Sequence, residues 1–310
     1  MTRVVLSLGG NAFAQGDGEL TMASQFEFAE RALTPLQALT GSGAELLVSH
    51  GNGPQVGYML IRVQRALGDA YALPLEVCVA ESEGELGYVL QQTLYNLTNG
   101  KRPVSTLLTQ VEVNPDDPAF ARPTKPIGPY LDMASATLLE SRGMTVGKFG
   151  ERFRRLVPSP APYAIVEIDT IQSLLAMGVI VIAGGGGGIP VVRRDSQLEG
   201  VEAVVNKDTV SAMLAERVSA DILMLITNVP AAYINFGTPD EKAIGRVNAA
   251  KMQELINEGH FGEGTMLPKV QAAVAFATAT GRPAVICNAE DIPRAQRLEK
   301  GTIIEGKRGT

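Results

Sequence analysis

Three glycine-rich turns and three lysines carry the chemical content of this sequence. Gly9-Gly10-Asn11, Gly51-Asn52-Gly53-Pro54 and the glycine run at 184–188 each follow a short apolar stretch. Such a turn points several backbone N–H groups into one concavity and binds anions without any side chain. Glycine also lets a ligand approach the backbone closely. Any one of these turns by itself reads better as a tight turn that needs glycine for steric reasons. All three at strand ends of one parallel sheet would share an edge, and together they favour a phosphate site that includes Gly53, Gly185 and Gly186.

Phosphoryl transfer spreads negative charge over the transferred oxygens, so its catalysis consists largely of placing cations and N–H donors. Lys207, in VVNKDT, lies at the start of a predicted helix, and Lys269, in GEGTMLPKV, lies in the first turn of another. A cation there opposes the helix dipole unless an anion also binds. Each reads alternatively as a solvated surface lysine. Lys125 lies between prolines in TKPIGPY, where a stiff loop could hold a charge over a site or simply expose it. Asp208 could help hold magnesium beside a nucleotide, or could cap the helix that follows it. The sequence G-x-x-x-x-G-K-[ST] is absent, so a P-loop is excluded. GNGPQVG differs in spacing from the dinucleotide fingerprint, and Pro54 stiffens it. His50 and His260 form no metal-spaced pair, Cys78 and Cys287 form no C-x-x-C unit, and no nucleophile motif occurs. No protein-held metal site is therefore expected.

These residues need a scaffold that brings distant turns together. Apolar runs at 3–8, 44–49, 104–113, 179–183, 222–227 and 284–288 predict strands. Helical spacing at 22–39, 56–67, 83–97, 169–177, 208–218, 249–256 and 267–280 predicts helices between them. The alternation predicts an α/β fold, a three-layer α/β/α sandwich with a mainly parallel central sheet. Eight prolines between 114 and 162 interrupt the pattern and mark a protruding flap or small subdomain. The expected organisation is a lobe at 1–205 carrying that insertion at about 114–162, and a second lobe at 206–310. With 310 residues, 45% of them hydrophobic, the chain can bury a substantial core. A net charge of −6 argues against broad nucleic-acid binding. The chain contains no membrane-length apolar run and no cleavage-site pattern near its start, which predicts a cytoplasmic protein with no membrane partner.

LSLGGNAF, VSHGNGPQVG, ESEGELGYVLQQTL, PTKPIGPY, VIVIAGGGGGIPVV, NKD and EGHFGEGTMLPKV, in this order, closely resemble carbamate kinases within the amino acid kinase superfamily. The resemblance runs nearly end to end. It implies magnesium-dependent interconversion of ATP and carbamate with ADP and carbamoyl phosphate, often running toward ATP in arginine or purine catabolism, and commonly as a homodimer. By matching motif positions, Gly9, Gly10, Asn11, Gly51 and Asn52 surround the acceptor and the transferred group. Lys125, Lys207 and Lys269 stabilise its charge, and Asp208 organises the lysines or the metal. Thr227, Asn228, Tyr233, Met266 and Lys269 lie beside the nucleotide. Many superfamily members carry a lysine just before the first glycine turn, where this chain has Ser7 and Leu8; carbamate kinases resemble it in lacking that lysine.

Three positions depart from the family pattern. Asn206 and Asn228 stand where the family usually has aspartate, and Leu267 where many members have glycine. Asparagine keeps the size and the acceptor oxygen but loses the charge. Two alternatives therefore stay open: an enzyme of the same fold acting on another small carboxylate or phosphonate, and a nucleotide-binding regulatory protein that has lost catalysis.

Overall fold

The computed structural model describes residues 2–9, 21–41, 43–262 and 264–306. The first part of the chain forms β1 (Arg3–Leu8), α1 (Met22–Leu33), α2 (Gln37–Gly41), β2 (Glu45–His50), α3 (Gly53–Arg65), α4 (Leu75–Leu97), β3 (Val104–Thr106) and β4 (Gln110–Val113). The insertion forms β5 (Lys125–Leu131), α5 (Met133–Ser141), β6 (Thr145–Phe149) and β7 (Arg152–Val157). The chain returns through β8 (Pro162–Ile165), α6 (Ile168–Ala176), β9 (Ile180–Ile182), β10 (Ile189–Arg194) and β11 (Gln197–Gly200). The remainder is α7 (Lys207–Arg217), β12 (Ile222–Ile226), β13 (Tyr233–Ile234), β14 (Lys242–Ala243), β15 (Arg246–Asn248), α8 (Ala249–Asn257), α9 (Met266–Thr280), β16 (Ala284–Cys287), α10 (Ile292–Ala295) and β17 (Thr302–Glu305).

An eight-stranded sheet in the order β15-β17-β16-β12-β1-β2-β9-β3 forms the middle layer. Every pair in it is parallel except β16–β17. Its central strands are mainly apolar because helices cover both faces, and successive side chains alternate between two cores. Val5, Leu47, Val181 and Leu223 pack beneath α6, α7, α8 and α9 through Leu175, Leu214, Met252 and Phe276. Val4, Leu6, Leu8 and Val48 pack on the other side against Leu33 of α1, Leu90 of α4 and Ile292 of α10. The three-layer α/β/α expectation holds. The early and late strands join directly where β1 pairs with β12.

Several local expectations change. The run 104–113 predicts one strand, but the chain leaves the main sheet after Thr106 and enters a second sheet, β11-β10-β4-β8, at Gln110. The helical stretch 22–39 is broken at Thr34–Leu36, a 3-10 turn with Pro35 in its first turn. The helix predicted from 83 starts at Leu75, since Leu75, Cys78 and Val79 are buried against Ile127 and Val157 of the insertion. Within 114–162 the prolines do not prevent strands. β5 carries Pro126 and Pro129 and pairs on one side only, with β7, and an edge strand tolerates missing N–H groups.

Candidate active site

Parallel pairing aligns the carboxyl ends of β1, β2, β9, β12 and β16, and the chain beyond each end builds the site. Gly9 follows β1 and donates its N–H to Ile226 O at 3.1 Å; a Cβ there would lie 2.9 Å from the same oxygen. Gly51 follows β2 and donates to Leu8 O at 3.1 Å. Thr227 follows β12 and donates to Cys287 O at 2.9 Å. Gly10 and Asn11 lie outside the described residues.

The glycine run after β9 fits against these turns only because it lacks side chains. A Cβ on Gly185 would fall 2.5 Å from His50 Nε2, and one on Gly186 would fall 2.0 Å from Asn52 Nδ2. One on Gly187 would fall 2.4 Å from Val205 O. Gly184, Gly186, Gly187 and Gly188 all have positive φ, which glycine adopts without strain. Asn52 is the N-cap residue of α3 but makes no side-chain cap. Its amide instead donates to Ser82 Oγ at 2.7 Å, which leaves the N–H groups from Gly53 onward without a side-chain cap. Burial lowers the pKa of His50 to about 4, and Lys207 adds repulsion, so this ring is neutral at ordinary pH.

At the start of α7 the charges form a compact array. Lys207 Nζ donates to Ser7 Oγ at 2.6 Å and lies 2.8 Å from Asp208 Oδ1; Lys269 Nζ, from the first turn of α9, donates to Asp208 Oδ2 at 3.1 Å. Burial alone would raise the Asp208 pKa, but Lys207 and Lys269 outweigh it and hold the carboxyl below its ordinary range. Burial lowers the Lys207 pKa, Asp208 opposes that, and Lys269 reinforces it. Two ammonium groups thus share one carboxylate, leaving about one unit of positive charge for an incoming anion. Asp208 Oδ1 is ion-paired yet has no aligned hydrogen bond.

Asn206 has a structural task. Its side-chain oxygen accepts the Asp208 and Thr209 N–H groups at 2.9 and 3.2 Å, the ordinary work of an N-cap, which asparagine does as well as aspartate. Asp208 does not cap α7; it serves the lysines.

No motif announces the serines beneath this array. Ser211 Oγ lies 2.9 Å from Ser7 Oγ and 2.7 Å from Ser49 Oγ, all three fully buried. Ser7 therefore stands just before the first glycine turn as an acceptor for both Lys207 and Ser211. The only sequence signal is a polar residue inside each of two apolar strands.

A cleft of about 670 Å3 opens beside the array. Gly9, Thr227, Asn228, Tyr233, Met266 and Lys269 line it, which brings the expected nucleotide residues together. Thr265 gives α9 no side-chain cap, but the Leu267 N–H goes to Gly262 O at 3.0 Å and Pro268 has no N–H, so the first turn offers the cleft little beyond the Met266 N–H and the Lys269 side chain. Phe28 and Arg31 of α1 and Asn288 and Glu290 after β16 also line the cleft without any motif to announce them. Lys125 is not brought into this group. It begins β5, half-buried and paired with Val157, and makes no ion pair among the described residues.

No group of three or more acidic, histidine or cysteine residues among the described residues could hold a metal. Asp208 is the one carboxylate in the array, and two ammonium groups flank it. The donor set suits a magnesium ion that arrives on nucleotide phosphates, with few protein ligands of its own. No helix among the described residues is long and apolar enough to cross a membrane.

Comparison with known proteins agrees with this geometry. Residues 2–288 match the model of the amino acid kinase family. The chain is 41% identical to a carbamate kinase of Thermococcus kodakarensis, over 100% of this chain and 98% of that one. It is 42% identical to a carbamate kinase-like protein of Escherichia coli, over 99% and 98%. The solved carbamate kinase of Giardia lamblia bound to AMP-PNP superposes with a TM-score of 0.93 at 35% identity, covering 99% of both chains. By sequence and by structure, the chain belongs to the amino acid kinase family, on its carbamate kinase branch.

Proposed function

We propose that the protein is a carbamate kinase that moves a phosphoryl group between MgADP and carbamoyl phosphate. The observation that carries this reading is the buried Lys207–Asp208–Lys269 array, set between the glycine turns and the nucleotide cleft. In the ATP-forming direction, a terminal oxygen of ADP attacks the phosphorus of carbamoyl phosphate. The bond from phosphorus to the carbamoyl oxygen breaks, and its electron pair leaves on carbamate. Lys207 and Lys269 hold the equatorial oxygens, backbone N–H groups at Gly53, Gly185 and Gly186 complete the cradle, and Gly9, Gly51 and Asn52, whose own donors are engaged within the fold, form its walls. Magnesium carried in on the nucleotide would neutralise phosphate charge, with Asp208 as the one carboxylate of the array beside it. Thr227, Asn228, Tyr233 and Met266 seat the nucleotide, and Lys125 approaches from the insertion when substrate binds. In this reading residues 1–205 hold the acceptor and 206–310 the nucleotide. The protein works in the cytoplasm as a homodimer, and arginine catabolism supplies the carbamoyl phosphate.

Purified protein is expected to form ATP from ADP, magnesium and carbamoyl phosphate in a coupled assay. ATP no higher than the background from spontaneous carbamoyl phosphate breakdown would remove the reading. Nucleotide binding without turnover would then favour a regulatory protein, and turnover on another carboxylate or phosphonate a different acceptor.

Gly186 offers a local test. Alanine at its φ of +65° costs about 1–2 kcal/mol, and its Cβ meets an Asn52 amide already tied to Ser82. Gly186→Ala is expected to lower kcat/KM for carbamoyl phosphate by about tenfold or more, while the Kd for ADP, measured by calorimetry, stays unchanged. A parallel loss in ADP affinity would place Gly186 outside the acceptor side.

A further inference from the structure

One buried acid beneath the glycine run takes no part in the chemistry above. Glu83 lies within α4 at 1% exposure. Its Oε2 accepts the Thr109 N–H at 2.8 Å; its Oε1 is buried with no hydrogen-bond partner, and no ion pair among the described residues includes it. Thr109 fastens the glycine run at both ends. Its Oγ1 accepts the Gly184 N–H at 2.8 Å, and its carbonyl accepts the Ile189 N–H at 2.8 Å. Its hydroxyl proton goes to Leu107 O at 3.0 Å. Glu83 also touches the run directly, since its Cγ lies 3.0 Å from where a Gly185 Cβ would stand. The preceding residue, Ser82, accepts from Asn52, whose side chain abuts Gly186. A single turn of α4 therefore holds two walls of the acceptor cradle.

We propose that Glu83 is a positioning residue for phosphoryl transfer: it holds Thr109, and through Thr109 it sets residues 184–188 against Asn52 and Lys207. The proposal rests on the carbamate kinase reading of the site. Glu83 does this as an uncharged acid. Ionised, it would leave a charge on Oε1 that no group among the described residues neutralises, and burial pushes its pKa well above the usual carboxylate range. The Thr109 N–H opposes that rise, and Glu167 at the start of α6 reinforces it. His50 at the end of β2 offers no positive charge above about pH 4. Lys207, beyond Gly187, is engaged with Ser7 and Asp208. The sign of the linkage follows. Above the unfolded pKa, the unfolded chain has released a proton that the folded chain retains, so Glu83 lowers stability as pH rises toward its folded pKa.

Three variants, Glu83→Gln, Glu83→Leu and Thr109→Val, test this through kinetics, melting and amide exchange of residues 184–189. Glu83→Leu and Thr109→Val are expected to lower kcat by about tenfold or more with the KM for ADP within about twofold. Amide exchange at 184–189 should accelerate by about tenfold in both. Glu83→Gln, uncharged and of the same shape, should keep kcat within about threefold of the parent. It should also gain melting temperature over the parent at about pH 8 but not at about pH 5. A Glu83→Gln enzyme as impaired as Glu83→Leu, or a Thr109→Val protein with unchanged turnover and exchange, would overturn the proposal. Should Glu83→Leu fail to fold, Thr109→Val and Glu83→Gln still decide. A parent that makes no ATP would count against the carbamate kinase reading alone, because exchange and melting still report on Glu83.

Discussion

Lys207→Ala is expected to lose about 10²–10³-fold in turnover, roughly 2.7–4 kcal/mol of transition-state stabilisation. The size follows from placement. Lys207 is pinned by Ser7 Oγ at 2.6 Å and Asp208 Oδ1 at 2.8 Å, with its side chain only 10% exposed, so its charge does not reorganise as the phosphoryl group moves. Water screens such a charge poorly, and a bulk cation cannot replace it. The variant still folds, because Lys269 keeps Asp208 paired and the serine cluster keeps the Ser211 contacts to Ser49 and Ser7. The coupled assay gives kcat, and thermal melting verifies folding. Turnover within about threefold of the parent would take Lys207 out of the mechanism.

This array was half legible in the sequence. Lys207 and Lys269 stand out because each puts a cation at the wrong end of a helix, a local oddity that periodicity exposes. Their shared partner does not stand out, since Asp208 in a first helical turn looks like an ordinary favourable charge. Ser7, Ser49 and Ser211 are scattered over the chain and meet only because β1, β2 and α7 pack together. The central strands are legible because burial on both faces makes each a largely apolar run. The break at 107–109 is not, as Leu107 and Thr109 suit a strand; Thr109 leaves the main sheet because Gly184, Ile189 and Glu83 claim its hydrogen bonds. The prolines of the insertion mislead for a related reason. Proline forbids a central strand and permits an edge strand, and sequence alone does not say which edge a strand occupies.

Asp208→Asn removes no group that touches the phosphoryl group in the proposed mechanism, yet it is expected to cost about as much as losing a lysine, roughly 10²–10³-fold in turnover. The neutral amide leaves two ammonium groups close together with no anion between them. Burial already lowers the Lys207 pKa and Lys269 lowers it further; only Asp208 opposes them. Without that opposition the Lys207 pKa falls again, so the neutral amine gains ground and the alkaline limb of the pH profile moves to lower pH. Breaking a buried pair by removing one partner also costs about 3–5 kcal/mol of stability, so the variant melts lower. A bound anion replaces the missing charge, so carbamoyl phosphate or MgADP should raise the melting temperature of Asp208→Asn more than that of the parent. If instead the variant kept its alkaline limb and gained no more from ligand than the parent, Asp208 would be a structural cap and the lysines would be placed by packing alone. The structure argues for the charge, since Asn206 already caps α7 and leaves Asp208 free for the two ammonium groups.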